Sequence, residues 1–158
     1  MKRGIIVEDS QLLDEYIELY MSSIKYVEDL VSEPTKAYHL SFEQYLIMKE
    51  IAEDSSVSLI DIARKRRVTR GAISRQIRVL LKLDYITQEI DPNDRRRLIL
   101  NLTPNGIATV HEINPKIHQR FASWVETFGI DNSKQMLALM NEFRHKIMAK
   151  EVKAAQQK

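Results

Sequence analysis

A mainly α fold with one small β-hairpin is what this sequence predicts, and three observations predict it. Only four glycines and four prolines punctuate 158 residues, so long helices are expected and each break can be read individually. Apolar residues recur at three- and four-residue spacing along most of the chain, the mark of amphipathic helices. After Asp84 the period switches to two for one short stretch, and beyond Gly106 the helical spacing returns.

The first element runs from Asp9 to about Val31, where Leu13, Tyr16, Ile17, Tyr20, Ile24, Val27 and Val31 form one apolar stripe. Glu33-Pro34-Thr35 ends it, since the residue before a proline is biased away from helix. Ser41-Phe42-Glu43-Gln44 has the form of a capping box and opens a second helix to about Asp54. Ser58-Leu59-Ile60-Asp61 repeats the arrangement for a short third helix that turns Leu59, Ile62 and Ala63 inward.

A fourth helix starts at Thr69. Ile73, Ile77, Leu80 and Leu81 make its buried stripe, whereas Arg70, Ser74 and Arg78 share another face with Arg75 and Lys82 beside it. Then Ile86, Gln88 and Ile90 alternate with Thr87 and Glu89, and Leu98, Leu100 and Leu102 alternate likewise, with turn chemistry at Pro92, Asn93 and Asp94 between the two strands. Past Thr103-Pro104-Asn105-Gly106 two more helices follow. One reaches about Phe128 with a kink at Pro115; the other runs from about Asn132 to Lys150 and carries Met136, Leu139, Met140, Phe143 and Ile147, leaving residues 150–158 as a polar tail. The layout is a winged helix-turn-helix at 41–102 within a single domain of residues 1–158.

Composition narrows the function classes. At 44% hydrophobic residues the chain can form a core, and with no cysteine it can have no disulfide, thiolate metal site or redox-sensing thiol. The apolar run Ile5-Ile6-Val7 is far too short for a signal sequence, and no run approaches the roughly 20 residues that span a bilayer. A cytoplasmic protein without membrane contact is expected. No phosphate-cradling glycine loop, nucleophile elbow or paired metal-ligand motif appears, so an enzyme is not expected and neither is a cofactor.

Charge is distributed unevenly. Asp61 to Arg97 holds eleven basic residues against five acidic ones, a local +6 in a chain whose total is +2, so the remainder carries −4. Positive charge gathered on one segment is the electrostatic footprint of a phosphate backbone. An α-helix fits the major groove of B-form DNA, and residues near its N-terminus reach base edges first. Thr69, Arg70, Gly71, Ser74 and Arg75 occupy that end, Gly71 being small enough for close approach, while Arg78 and Lys82 lie where phosphate would be. Arg95, Arg96 and Arg97 at the hairpin tip suit a narrow minor groove. A solvated basic face is the bland alternative for each piece, and the combination is what favours DNA.

These residues carry a resemblance. The run Ile62-Ala63, Val68-Thr69-Arg70-Gly71-Ala72-Ile73-Ser74-Arg75, then Asp91-Pro92-Asn93-Asp94-Arg95-Arg96 and Leu102-Thr103-Pro104-Asn105-Gly106, resembles the MarR family of bacterial transcriptional regulators. The resemblance implies a triangular homodimer, a ligand-responsive repressor that sets one recognition helix into each half of a pseudopalindromic operator. Residues 9–32 and 103–150 would then be the dimerisation helices. It also implies that Asp94 orients Arg96 on the wing. The family commonly has an aliphatic residue and a glycine where this chain has Arg66 and Arg67, a glycine where it has Asp84, and often a basic residue at Gln88. An arginine at positive φ costs on the order of 1 kcal/mol, whereas aspartate tolerates that region better.

The resemblance further implies an effector pocket for small aromatic or phenolic acids, for which Tyr16, Tyr20, Tyr38, His39 and Tyr45 are available. Aromatics at helical spacing are more often core. His111 and His118, seven apart with Glu112 near, outline a metal-responsive alternative, although such pairs are usually incidental and no metal ligand is assigned. A winged helix used for protein interaction or architectural DNA binding is the remaining alternative.

Overall fold

The computed structural model describes residues 3–148, with side chains from residue 10 to residue 146. Its elements are α1 (Arg3–Thr35), a 3-10 turn (Lys36–Tyr38), α2 (Phe42–Glu53), α3 (Leu59–Arg66), α4 (Arg70–Lys82), the antiparallel strands β1 (Ile86–Ile90) and β2 (Leu98–Leu102), α5 (Pro104–Phe128), α6 (Ile130–Phe143) and a π-helical turn (Arg144–Met148). The chain divides into two compact units, Met1–Ile117 and His118–Lys158. The tail at 150–158 and the side chain of Ile147 lie outside the described residues.

In the first unit the helix starts are set locally. Ser41 accepts from the Gln44 amide at 3.2 Å while Gln44 takes the Ser41 amide at 2.9 Å, and Ser58 and Asp61 reciprocate in the same way at 3.3 and 3.0 Å. Thr69 caps α4 by accepting from the Ala72 amide. The core between these helices holds Ile47, Met48, Ile62, Ile73, Ile77 and Leu80, with Leu100 from the hairpin and Ile113 from α5, all essentially without solvent contact. Each such side chain contributes about 1.5–3 kcal/mol through burial.

α1 is longer than the spacing predicts at both ends. Its last residue, Thr35, is buried, and the Thr35 hydroxyl lies 2.8 Å from the Ser32 carbonyl and 2.9 Å from that of Leu40, supplying a donor where the helix end lacks one. Thr103 does comparable work at the start of α5. Its hydroxyl accepts from the Gly106 amide at 2.9 Å and donates to the Asp84 carbonyl at 2.7 Å. Gly106 must be glycine on packing grounds, because a Cβ there would fall 2.0 Å from the Tyr85 carbonyl oxygen. α5 is continuous through Pro115.

The hairpin pairs Ile86 with Leu102, Gln88 with Leu100 and Ile90 with Leu98. Its apolar face is buried at Ile86 and Leu100 and open at Ile90 and Leu98, because the tip projects past the core. Sequence periodicity gives no sign of a third partner, yet the Leu100 amide donates to the Val57 carbonyl at 3.0 Å and Ser58 bridges Ile99, stitching the segment before α3 to β2.

Among the α1 residues with described side chains, only the C-terminal end is covered, Leu30 and Val31 among the buried residues there. Leu13, Tyr16, Ile17, Tyr20, Ile24 and Val27 are exposed in the single chain. In the second unit α6 begins at Ile130, two residues before the expected start, because Gly129 at φ 91° breaks the preceding helix. Phe121, Trp124 and Phe128 from α5, and Met136, Leu139, Met140 and Phe143 from α6, are likewise exposed. Among the described residues no helix is long and apolar enough to cross a membrane.

Candidate nucleic-acid interface

α4 has the two sides its sequence predicts. Ile73, Ile77 and Leu80 are buried, whereas Arg70, Gly71, Arg75, Arg78 and Lys82 are exposed and Ser74 is half-buried. Nothing in the protein lies within 4 Å of where a Gly71 Cβ would stand, so the smallness of this residue serves no internal contact. The turn entering α4 places Arg67 at φ 54°, and the residue after Leu83, Asp84, sits at φ 57°. Those are two of the positions where the resembled family favours glycine.

At the wing, Arg95 and Arg96 are exposed. The Asp94 carboxylate accepts from the backbone amide of Arg96 at 3.0 Å. Among the described residues its side chain forms no ion pair with the Arg96 guanidinium; the contact of Asp94 is to the backbone of the turn from which Arg96 projects. Asp91 is buried and accepts from the Asn93 amide at 2.8 Å, closing the other side of the tip.

Counting cations overstated the open charge. Arg97, grouped by sequence with the DNA-facing arginines, bends back to Asp61 at 2.6 Å and to the Ser56 carbonyl at 3.0 Å. Arg66 is held by Glu43 at 2.7 Å and Glu50 at 3.4 Å, and Lys65 reaches Glu50 at 3.3 Å. The physical reason is that carboxylates remote in sequence are near in space. Eight of the eleven remain exposed and, among the described residues, free of ion pairs: Arg64, Arg67, Arg70, Arg75, Arg78, Lys82, Arg95 and Arg96. The Ser58 hydroxyl holds the Asp61 carboxyl below the usual carboxylate range against the opposing effect of burial, with the Ser58 amide and Arg97 adding to it.

The residues offered for an effector separate. Tyr16 and Tyr20 stack with ring centres 6.4 Å apart on the exposed face of α1. Tyr45 is core, only 3% exposed, and its hydroxyl donates to Asn114. Burial first, and the charge of Glu53 second, push that hydroxyl's pKa up. The Tyr38 hydroxyl donates to Glu112 at 2.6 Å, with the Lys116 ammonium 5.3 Å from the ring centre. His39 is exposed at φ 57° in the turn before α2.

None of these five lines the cavity of 460 Å³ in the first unit, which is bounded by Ile51, Ala52, Ser55, Asn101, Leu102, Ile107, Val110, His111 and Asn114. Sequence spacing missed it because its walls come from α2, β2 and α5. Of the metal alternative, His111 lines this cavity and Glu112 is taken by Tyr38. Among the described residues no three His, Asp or Glu side chains gather as a metal site.

Comparison with known proteins agrees with this geometry. The MarR family model matches residues 40–98. An HTH-type transcriptional regulator of Staphylococcus aureus strain MSSA476, itself uncharacterised, is 24% identical over 143 residues, covering 89% of this chain and 94% of its own. The HTH-type transcriptional regulator SarZ of S. aureus strain USA300 is 25% identical over 118 residues, 73% of this chain and 80% of its own. Among solved structures, S. aureus MarR in complex with salicylate and kanamycin superposes with a TM-score of 0.74 at 23% identity, covering 91% of this chain and 97% of that one. The S. aureus MepR–DNA complex gives 0.74 at 19% identity, with 80% and 94% covered. The structural likeness is one of fold.

Proposed function

We propose that this chain, which the MarR family model matches over residues 40–98 and whose fold is that of S. aureus MarR, is a sequence-specific DNA-binding transcriptional regulator, a ligand-responsive repressor that binds a pseudopalindromic operator as a homodimer. The observation that carries the reading is the set of eight exposed cations on the end of α3, the α3–α4 turn, α4 and the wing tip, which form no ion pair among the described residues. Arg70, Ser74 and Arg75 near the α4 N-terminus meet base edges, where a bidentate arginine–guanine contact supplies about 1–3 kcal/mol of discrimination. Arg78 and Lys82 meet phosphate, and Arg95 and Arg96 enter the minor groove.

Exposed apolar stripes on α1 and on α6 support the dimer, because surfaces of this kind are covered by a partner in stable proteins. Two reading heads related by a twofold axis meet half-sites roughly 34 Å apart. For the effector we favour the aromatic or phenolic acid class, on the strength of the salicylate in a structure of the same fold. The 460 Å³ cavity, with His111, Asn101 and Asn114 among apolar walls, has the size and mixed lining such an acid needs. Acting on DNA, the protein works in the cytoplasm.

Selection of bound sites from random DNA tests the reading. A twofold-symmetric consensus, favoured over random sequence by about 10³ or more at physiological salt, is expected. Binding without sequence preference would leave an architectural role, and no binding would remove DNA from the function.

A further inference from the structure

We propose that Arg97 is a positioning residue for the wing, a strap from the hairpin tip to the first turn of α3, rather than a contact to DNA. Where binding is the readout, this inference rests on the DNA-binding function proposed above. One guanidinium nitrogen, Nη2, donates to Asp61 Oδ2 at 2.6 Å and to the Ser56 carbonyl at 3.0 Å, and Nη1 lies 3.8 Å from Asp91 Oδ2. Those acceptors come from the α3 first turn, the loop before α3 and the end of β1. Only a planar fork of donors serves acceptors so placed. The backbone of Arg97 is committed as well: its carbonyl accepts from the Asp91 amide and its amide donates to the Asp94 carbonyl, each at 2.9 Å.

Asp61 makes the strap more than a surface ion pair. The oxygen that takes Arg97 is the same one that receives the Ser58 amide at 3.0 Å and the Ser58 hydroxyl at 2.6 Å in the α3 capping box. One carboxylate thereby ties the start of the helix-turn-helix to the base of the turn that projects Arg95 and Arg96. A wing held this way surrenders less freedom when it meets DNA, so the strap raises affinity without touching the nucleic acid.

Asp61→Asn separates the two roles of Arg97. If Arg97 were a phosphate contact restrained by Asp61, neutralising the carboxylate would release a cation, remove a negative charge and tighten binding. The strap requires the opposite. Asp61→Asn and Arg97→Ala should each weaken binding to a selected site by roughly fivefold to tenfold, the double variant losing no more than the worse single one. Both should keep the salt dependence of the wild type, whereas Arg96→Ala should lower the log–log slope by about 0.9.

In the free protein, backbone amide relaxation at Asn93 to Arg96 should show increased motion in both strap variants. Ser58→Ala, which breaks the α3 cap from its other side but spares Arg97, should leave those amides ordered. Tighter binding by Asp61→Asn, or unchanged order at the tip in Arg97→Ala, would overturn the proposal. A wild-type protein that selects no DNA site would sink the function proposed above, while the relaxation experiment would still decide the strap.

Discussion

Glu50 and Arg66 meet across the corner between α2 and α3, carboxylate oxygen to guanidinium nitrogen at 3.4 Å, with their side chains only 10% and 16% exposed. The same guanidinium reaches Glu43 at 2.7 Å, so one arginine fastens the end of α3 to two points of α2 about two turns apart. Because α4 follows α3 by a short turn, this corner sets where α4 stands. Arg66→Ala should cost about 2 kcal/mol in urea denaturation, since it leaves Glu50 largely buried with only the exposed Lys65 as partner. Lys65→Ala should change stability by no more than about 0.5 kcal/mol. Equal effects would show that the corner is not held by Arg66.

Gly106→Ala should destabilise the protein by at least about 2 kcal/mol, read as a lowered melting temperature. The added carbon would overlap a backbone oxygen, that of Tyr85, which also accepts the Thr103 amide at 3.0 Å and cannot move without breaking the junction of β2 and α5. A variant that melts like the wild type would mean that this junction adjusts freely.

Gly71→Ala should behave in the reverse manner. Open space surrounds the position, and alanine inside a helix is favoured over glycine by about 1 kcal/mol, so the folded protein should gain stability. DNA binding should nonetheless weaken, because under the function proposed above the methyl group stands where the backbone of α4 would approach the groove. Stabilisation with undiminished affinity would place Gly71 away from the DNA.

Acid should act on Asp61 late. A carboxyl whose folded pKa is depressed contributes stability that is present above its unfolded value, about 3.9, and lost as the pH falls through the lower folded value. The difference in denaturant midpoint between wild type and Asp61→Asn should therefore be constant from neutral pH to about pH 5 and shrink below pH 4. A difference that faded near pH 6 would point to a different group.

What the sequence determined by itself was local. The capping boxes at Ser41 and Ser58, the cap at Thr69, the two sides of α4 and the hairpin all depend on residues within a few positions of one another, and the geometry of helix and strand turns that spacing directly into structure. The left-handed conformations of Arg67 and Asp84 were legible from the glycines that the resembled family places there. Tertiary structure alone decided which cations are open, since Arg66 and Arg97 find carboxylates 23 and 36 residues away.

It decided, too, that Tyr45 is core with its hydroxyl on Asn114, 69 residues distant, and that a cavity forms among α2, β2 and α5. An apolar stripe declares a helix but not what covers it, which is why the same periodicity describes the buried face of α4 and the exposed face of α1. Coulombic attraction and burial depend on distance through space, and separation along the chain does not encode that distance until the helices have packed.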